Sequence, residues 1–175
     1  MVSNYNLFRH THSIQRMHQL DDIDIAILTH LQKNGRAQRN KLAKIVNLSV
    51  PSVSERMRKL EEKKLIEGYY AVLNSQKFNY DIVAFIFVEV DNSRYYSAFV
   101  DKASHEPEIQ ECHSITGDGS HILKITTNNT VSLEKLLSKI QSWEGVKKTR
   151  SNIVLSTFKQ TREIPLEVNK PVAKS

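Results

Sequence analysis

The stretch Asn47–Ile66 reads NLSVPSVSERMRKLEEKKLI, and its pattern decides how the first third of the chain folds. Ser49 is a residue type that caps a helix, and Pro51 is acceptable in a first turn, where its missing N–H removes no helical bond. Turning about 100° per residue, Val53, Met57 and Leu60 fall within about 60° of one another and form an apolar stripe. The opposite face carries Pro51, Ser52, Glu55, Arg58, Lys59 and Glu62, with Arg56 and Lys63 on one flank. Its N-terminal part is small and polar, and the remainder is mostly basic. A helix entering a major groove needs this composition: small residues permit close approach, and Ser and Arg supply donors to phosphates and base edges.

Upstream, Asp21 opens a second helical pattern. Ile23, Ile27 and Leu31 recur every four residues, and Leu28 widens the stripe. Asp21, Asp22 and Asp24 suit the positive end of the helix dipole, and Asn34-Gly35 are residues that tolerate a left-handed stop. Between these two helices a short one is expected over Arg39–Val46, with Leu42, Ile45 and Val46 inward and Arg39, Lys41 and Lys44 free to lie across a phosphate backbone. Charge supports this reading. Between Arg36 and Lys64 nine Lys/Arg stand against three acids, an excess equal to the +6 of the whole chain. Basicity alone attracts many anionic partners, but charge confined to a helix-turn-helix pattern points to duplex DNA.

Downstream, Gly68–Asn74 (GYYAVLN) reads as a linking strand. Val83–Val90 is a strand, Arg94–Ser104 a helix, and Ile109–Thr116 and Ser120–Thr127 are strands around the turn Gly117-Asp118-Gly119. A helix over Ser132–Trp143 carries Leu133, Leu136, Leu137 and Ile140, and a last strand spans Val146–Thr157. The order β-α-β-β-α-β is the ferredoxin-like arrangement. The fold class is therefore α+β. The segments are an extension (1–18, polar and without period, with Met17 as an internal start), a helix-turn-helix domain (19–67), a linking strand and linker (68–80), the ferredoxin-like domain (81–160) and a tail (161–175).

Other classes are disfavoured on composition. The chain of 175 residues is 39% apolar, with only five Gly and four Pro, unlike a disordered protein. Cys112 is the only cysteine, which excludes an intrachain disulfide and a cysteine-cluster metal site, and it reads as a thiol buried in a strand. No apolar run approaches the ~20 residues of a membrane span. The start lacks a secretory core, so a soluble cytoplasmic protein is expected. His105, His113 and His121 invite a metal reading, the latter two facing one another across adjacent strands, but no helical His pair accompanies them. No metal, cofactor or catalytic residue is assigned.

The runs LDDIDIAILTHLQKNGR, LAKIVNLSVPSVSERMRKLEEKKLIEGYYAVLN, IQECHSITGDGSHILK and the ending KQTREIPL (Lys159–Leu166) resemble the Lrp/AsnC family of feast/famine regulators, from about Leu20 to Leu166. The resemblance implies a winged helix-turn-helix with Ser49, Ser52, Arg56 and Arg58 at recognition-helix positions, and Lys59 joins them on geometry. It implies homodimers formed through the sheets, assembling to tetramers or octamers, and an effector, commonly an amino acid, bound between dimers beside the turn Gly117-Asp118-Gly119-Ser120-His121. Amides of a Gly-flanked turn can hold a carboxylate, and Asp118 can pair with an ammonium. Thr149 and Ser151 on the last strand are candidates to complete that pocket from a neighbouring chain. The chain departs from the family at two places. Many members have an aromatic residue and an Asp where this chain has Gly119 and Ser120, and Gln38 stands where a Ser often caps the second helix. Two rival functions share the architecture: a nucleoid-type architectural DNA binder without an effector, and an enzyme resembling the sirohaem decarboxylases. The preferred reading is a regulator, not an enzyme.

Overall fold

The computed structural model describes residues 20–117 and 119–166. The expected extension (1–18), Asp118 and the end of the expected tail lie outside the described residues. The chain forms two compact units, one helical (20–71 with 161–166) and one αβ (Val72–Gln160).

The helical unit contains α1 (Asp22–Lys33), α2 (Arg39–Val46) and α3 (Val50–Glu62). Asp21 caps α1 by accepting from the Asp24 amide at 2.8 Å. Gln38 precedes α2 without a side-chain cap bond, and α2 ends on Asn47 in the left-handed conformation (φ 52°). Asn can adopt it because its short side chain bonds locally. Ile27, Leu42 and Val53, one from each helix, are fully buried at the centre of the cluster. Burying each such side chain is worth roughly 1.5–3 kcal/mol. The C-terminal segment joins this unit: Gln32 Nε2 donates to the Ile164 carbonyl at 3.1 Å, the Ile164 amide donates to Gln32 Oε1 at 2.7 Å, and Leu166 packs on the cluster.

Three local expectations are corrected. Asn34 closes α1 at φ −144°, so no left-handed residue stops that helix. Instead the Asn34 side chain accepts from the Arg36 amide. In α2 the buried pair is Leu42 and Ala43, while Ile45 is 47% exposed. On eight residues the inward stripe is narrow, and the small Ala43 takes the close approach. Gly68–Asn74 forms no strand. Strand-forming composition alone does not make one: the ladder needs a partner, and among the described residues none pairs with this segment, which leaves Val72 96% exposed.

In the αβ unit, β1 (Ile82–Val90), β2 (Ile109–Ser114), β3 (His121–Thr127) and β4 (Val146–Ile153) form one sheet in the order β2-β3-β1-β4, antiparallel throughout. Helices α4 (Tyr96–His105) and α5 (Thr130–Gln141) cover one face. Ala84, Ile86 and Val88 of β1 alternate inward and meet Phe99, Leu123, Ile125, Leu136 and Ile140. Trp143 closes the core edge-on to Phe99, with ring centroids 5.5 Å apart. Cys112 lies on β2 against this core, and desolvation pushes its thiol pKa up. The opposite face carries Phe85, Phe87 and Glu89, with Arg150 of β4 over the Phe87 ring at 4.8 Å. No helix among the described residues is long and apolar enough to cross a membrane.

Candidate nucleic-acid interface

Local chemistry sets the start of α3. Ser49 has extended backbone (ψ 154°), and its Oγ accepts from the Ser52 amide at 3.3 Å. The two serine hydroxyls lie 2.7 Å apart. Val53, Met57 and Leu60 are buried on the helical core, as their spacing requires. Pro51, Ser52, Glu55, Arg58, Lys59 and Glu62 are all exposed. The core stripe therefore fixes which face of α3 is offered outward.

The charged residues on and beside that face are not equivalent. Arg56 is half-buried and points back to the first turn of α1, where Nη1 donates to Asp21 Oδ2 at 2.7 Å and to Asp24 Oδ1 at 2.8 Å. Burial raises the Asp21 pKa, but the Asp24 amide and Arg56 outweigh it and hold it below the usual carboxylate range. The Asp24 and Asp21 bonds raise the Arg56 pKa. Arg58 is bound by two carboxylates of its own helix: Nε to Glu55 Oε2 at 2.8 Å, Nη2 to Glu55 Oε1 at 2.7 Å, and Nη1 to Glu62. Lys59 approaches Glu55 at 3.6 Å. Thus Ser49, Ser52, Arg58 and Lys59 share the outward side, while Arg56 ties α3 to α1. The Glu55–Arg58–Glu62 spacing of three and four residues was readable as helical neighbours. The anchoring of Arg56 by residues 35 and 32 positions away had no local signal.

Behind α3, Tyr69 donates to Glu61 Oε1 at 2.9 Å, and burial with that bond pushes its phenol pKa up to about 12.

The turn between β2 and β3 is the second candidate site. Gly117 (φ 99°) and Gly119 (φ 129°) both require a conformation that L side chains rarely adopt, and a Cβ on Gly119 would lie 3.1 Å from the Val88 carbonyl oxygen. The Gly119 amide donates to the Gly117 carbonyl and the Ser120 amide to the Val88 carbonyl, both at 2.9 Å. Those two donors are already used, which narrows the carboxylate cradle expected of the turn. Ser120 Oγ also donates to Val88 O at 3.1 Å and accepts from the Val90 amide at 3.0 Å, clamping the turn to β1.

His121 is 2% exposed and lies beneath the turn. Its Nδ1 is 2.9 Å from Ser120 Oγ, and its ring packs against Tyr96 and Phe99 at 4.8 and 4.7 Å between centroids. Because Ser120 uses its one proton on Val88, His121 Nδ1 is the donor in that pair. Desolvation lowers the His121 pKa. The expected meeting of His113 and His121 does not occur. In the register His113 stands opposite Ile122 and His121 opposite Ser114, so the two side chains fall on opposite faces. His113 instead lies 3.3 Å from Glu111, and His105 contacts Asp101. Thr149 and Ser151 stand opposite Val88 and Ile86 on the helix-covered face, and Thr149 Oγ1 accepts from Gln141 at 2.8 Å.

Comparison with known proteins agrees with both units. The winged helix-turn-helix DNA-binding family matches residues 20–67, and the Lrp/AsnC ligand binding domain matches residues 83–164. The HTH-type transcriptional regulator FL11 of Pyrococcus furiosus is 37% identical over 148 residues, 85% of this chain and 97% of that protein. The leucine-responsive regulatory protein of Escherichia coli is 32% identical over 151 residues, 85% and 92% of the two chains. Among solved structures, a Neisseria meningitidis transcriptional regulator in complex with L-methionine has a TM-score of 0.80 at 29% identity, covering 83% of this chain and 96% of that one. The feast or famine regulatory protein of Mycobacterium tuberculosis complexed with L-methionine has a TM-score of 0.77 at 32% identity, covering 83% and 98%. With its helix-turn-helix, its four-stranded sheet and these relatives along most of its length, the chain belongs to the Lrp/AsnC family of transcriptional regulators.

Proposed function

We propose that this regulator reads duplex DNA with the outward face of α3. The carrying observation is that burial of Val53, Met57 and Leu60 leaves Ser49, Ser52, Arg58 and Lys59 together on the exposed side. In this reading Ser49 and Ser52 allow close approach, Lys59 neutralises phosphate and Arg58 reaches a base edge. Arg56 supports binding through α1 rather than by contact. The protein acts as a homodimer or larger assembly on a two-fold site, tetramer and octamer being the expected higher states.

We further propose that an amino acid binds beside Gly117, Asp118 and Gly119, with Asp118 pairing its ammonium group. Ser120 and His121 hold that turn from beneath, against β1, and Thr149 and Ser151 of a neighbouring chain complete the pocket. The match to a ligand binding domain and the two similar L-methionine complexes support this assignment. Titrating the twenty amino acids while following assembly size and DNA affinity tests it. One amino acid shifting both, with Asp118→Ala losing the shift but keeping DNA binding, is the expected result. No response to any amino acid overturns the effector assignment.

A further inference from the structure

Glu55 is an anomaly on a surface meant for DNA. Its carboxylate stands on the exposed face of α3 between Ser52 and Lys59, where phosphates would repel it. Within the helix its chemistry is specific. Both oxygens accept from one edge of the Arg58 guanidinium, from Nε at 2.8 Å and from Nη2 at 2.7 Å, a bidentate pair. Glu62 takes one N–H of Nη1 from the following turn. A guanidinium has five N–H groups. Three are engaged by these carboxylates, which leaves one on Nη1 and one on Nη2, the two terminal nitrogens.

N–H groups on the two terminal nitrogens are the donors with which an arginine meets the N7 and O6 acceptors of guanine in a major groove. We propose that Glu55 is a positioning residue for base readout, holding Arg58 side-on so that its two terminal N–H groups read a guanine. The assignment rests on the DNA-reading role of α3 and deepens it. An unbuttressed arginine of this length samples many rotamers and binds phosphate as readily as a base. Two carboxylates at three and four residues' distance fix its plane before DNA arrives, so less ordering is required on binding. The pKa directions agree: Arg58 holds Glu55 down to about 2, and Glu55 raises Arg58, so the pair is charged across the working pH range.

The test measures binding of the full chain to its selected site, to a panel of single-base-pair variants of that site, and to a random duplex, for wild type, Glu55→Ala, Glu55→Gln and Arg58→Ala. Position 55 is an exposed helical position where Ala is a good helix former, so the fold survives the change. Wild type is expected to discriminate at a G·C pair in each half-site. Glu55→Ala should lose roughly tenfold discrimination at the same pair that Arg58→Ala loses, consistent with one bidentate base contact. The same variant should bind random duplex more tightly, because a negative charge has gone. Glu55→Gln, which keeps one acceptor, should retain part of the discrimination. If Glu55→Ala tightens binding to every duplex and leaves the base preference intact, Glu55 is only a surface charge and the assignment fails. A wild type that prefers no sequence at all overturns the DNA-reading role itself, and this assignment with it.

Discussion

Arg56 Nη1 lies 2.8 Å from Asp24 Oδ1, so the arginine in the middle of α3 is a brace to the first turn of α1. Both side chains are partly shielded from water, at 30% and 18% exposure, and the bond fixes the angle at which α3 is presented. A double-mutant cycle with Arg56→Met and Asp24→Asn should give a coupling of about 1 kcal/mol, the upper part of the range for incompletely buried pairs. Arg56→Met should also weaken DNA binding for all sequences alike. A coupling of zero would mean that Asp24 does not brace Arg56 and that its tie to α1 runs through Asp21.

One substitution separates the capping role of Ser49 from the DNA contact proposed for it. Ser49→Ala removes the cap and should cost about 1 kcal/mol in chemical unfolding. Ser49→Asp restores a cap favoured by the helix dipole, so stability should return. DNA affinity should not return, because the new carboxylate faces phosphate. Recovery of both properties by Ser49→Asp would place the cap away from the DNA.

These residues show how far the sequence could be read. The α3 cap and stripe are local, set by Ser49 and by the 3.6-residue period, and they were legible in full. The apolar run of β1 and the Leu133–Ile140 stripe of α5 were legible for the same reason. What failed was non-local. Gly68–Asn74 has strand composition, but only a partner can make it a strand. His113 and His121 looked paired across the turn until the register between Ser114 and His121 placed them on opposite faces. The two glycines made a turn legible between β2 and β3, but the engagement of Ser120 was not: it spends its hydroxyl on β1, which depends on Val88 and Val90 some thirty positions away.

Gly145 carries a steric requirement. It has φ 84°, and a Cβ there would lie 2.4 Å from Tyr95 Cγ. Gly145→Ala should destabilise the αβ unit by at least the ~1–2 kcal/mol of a left-handed L residue, with Tyr95 displaced besides. Thermal unfolding reports it, and an unchanged midpoint would mean that this turn rearranges freely.

His121 predicts a pH dependence of known sign. Burial lowers its pKa below the unfolded value of about 6.5. Between the two values the unfolded chain binds the extra proton, so stability is complete above about pH 6.5 and declines as pH falls towards the folded pKa. His121→Phe keeps an aromatic ring beside Tyr96 and Phe99 without titrating. The melting temperature of wild type should fall more between pH 7.5 and 5.5 than that of His121→Phe. Equal falls would show that His121 is protonated as readily folded as unfolded.

Selection of bound fragments from genomic DNA at two salt concentrations measures sequence-specific binding by α3 itself. An inverted-repeat site near promoters is expected to be enriched. That enrichment should persist as salt rises, while overall affinity drops steeply with the loss of phosphate contacts. Uniform recovery of all fragments that vanishes with salt, or no recovery at low salt from folded protein, would contradict it.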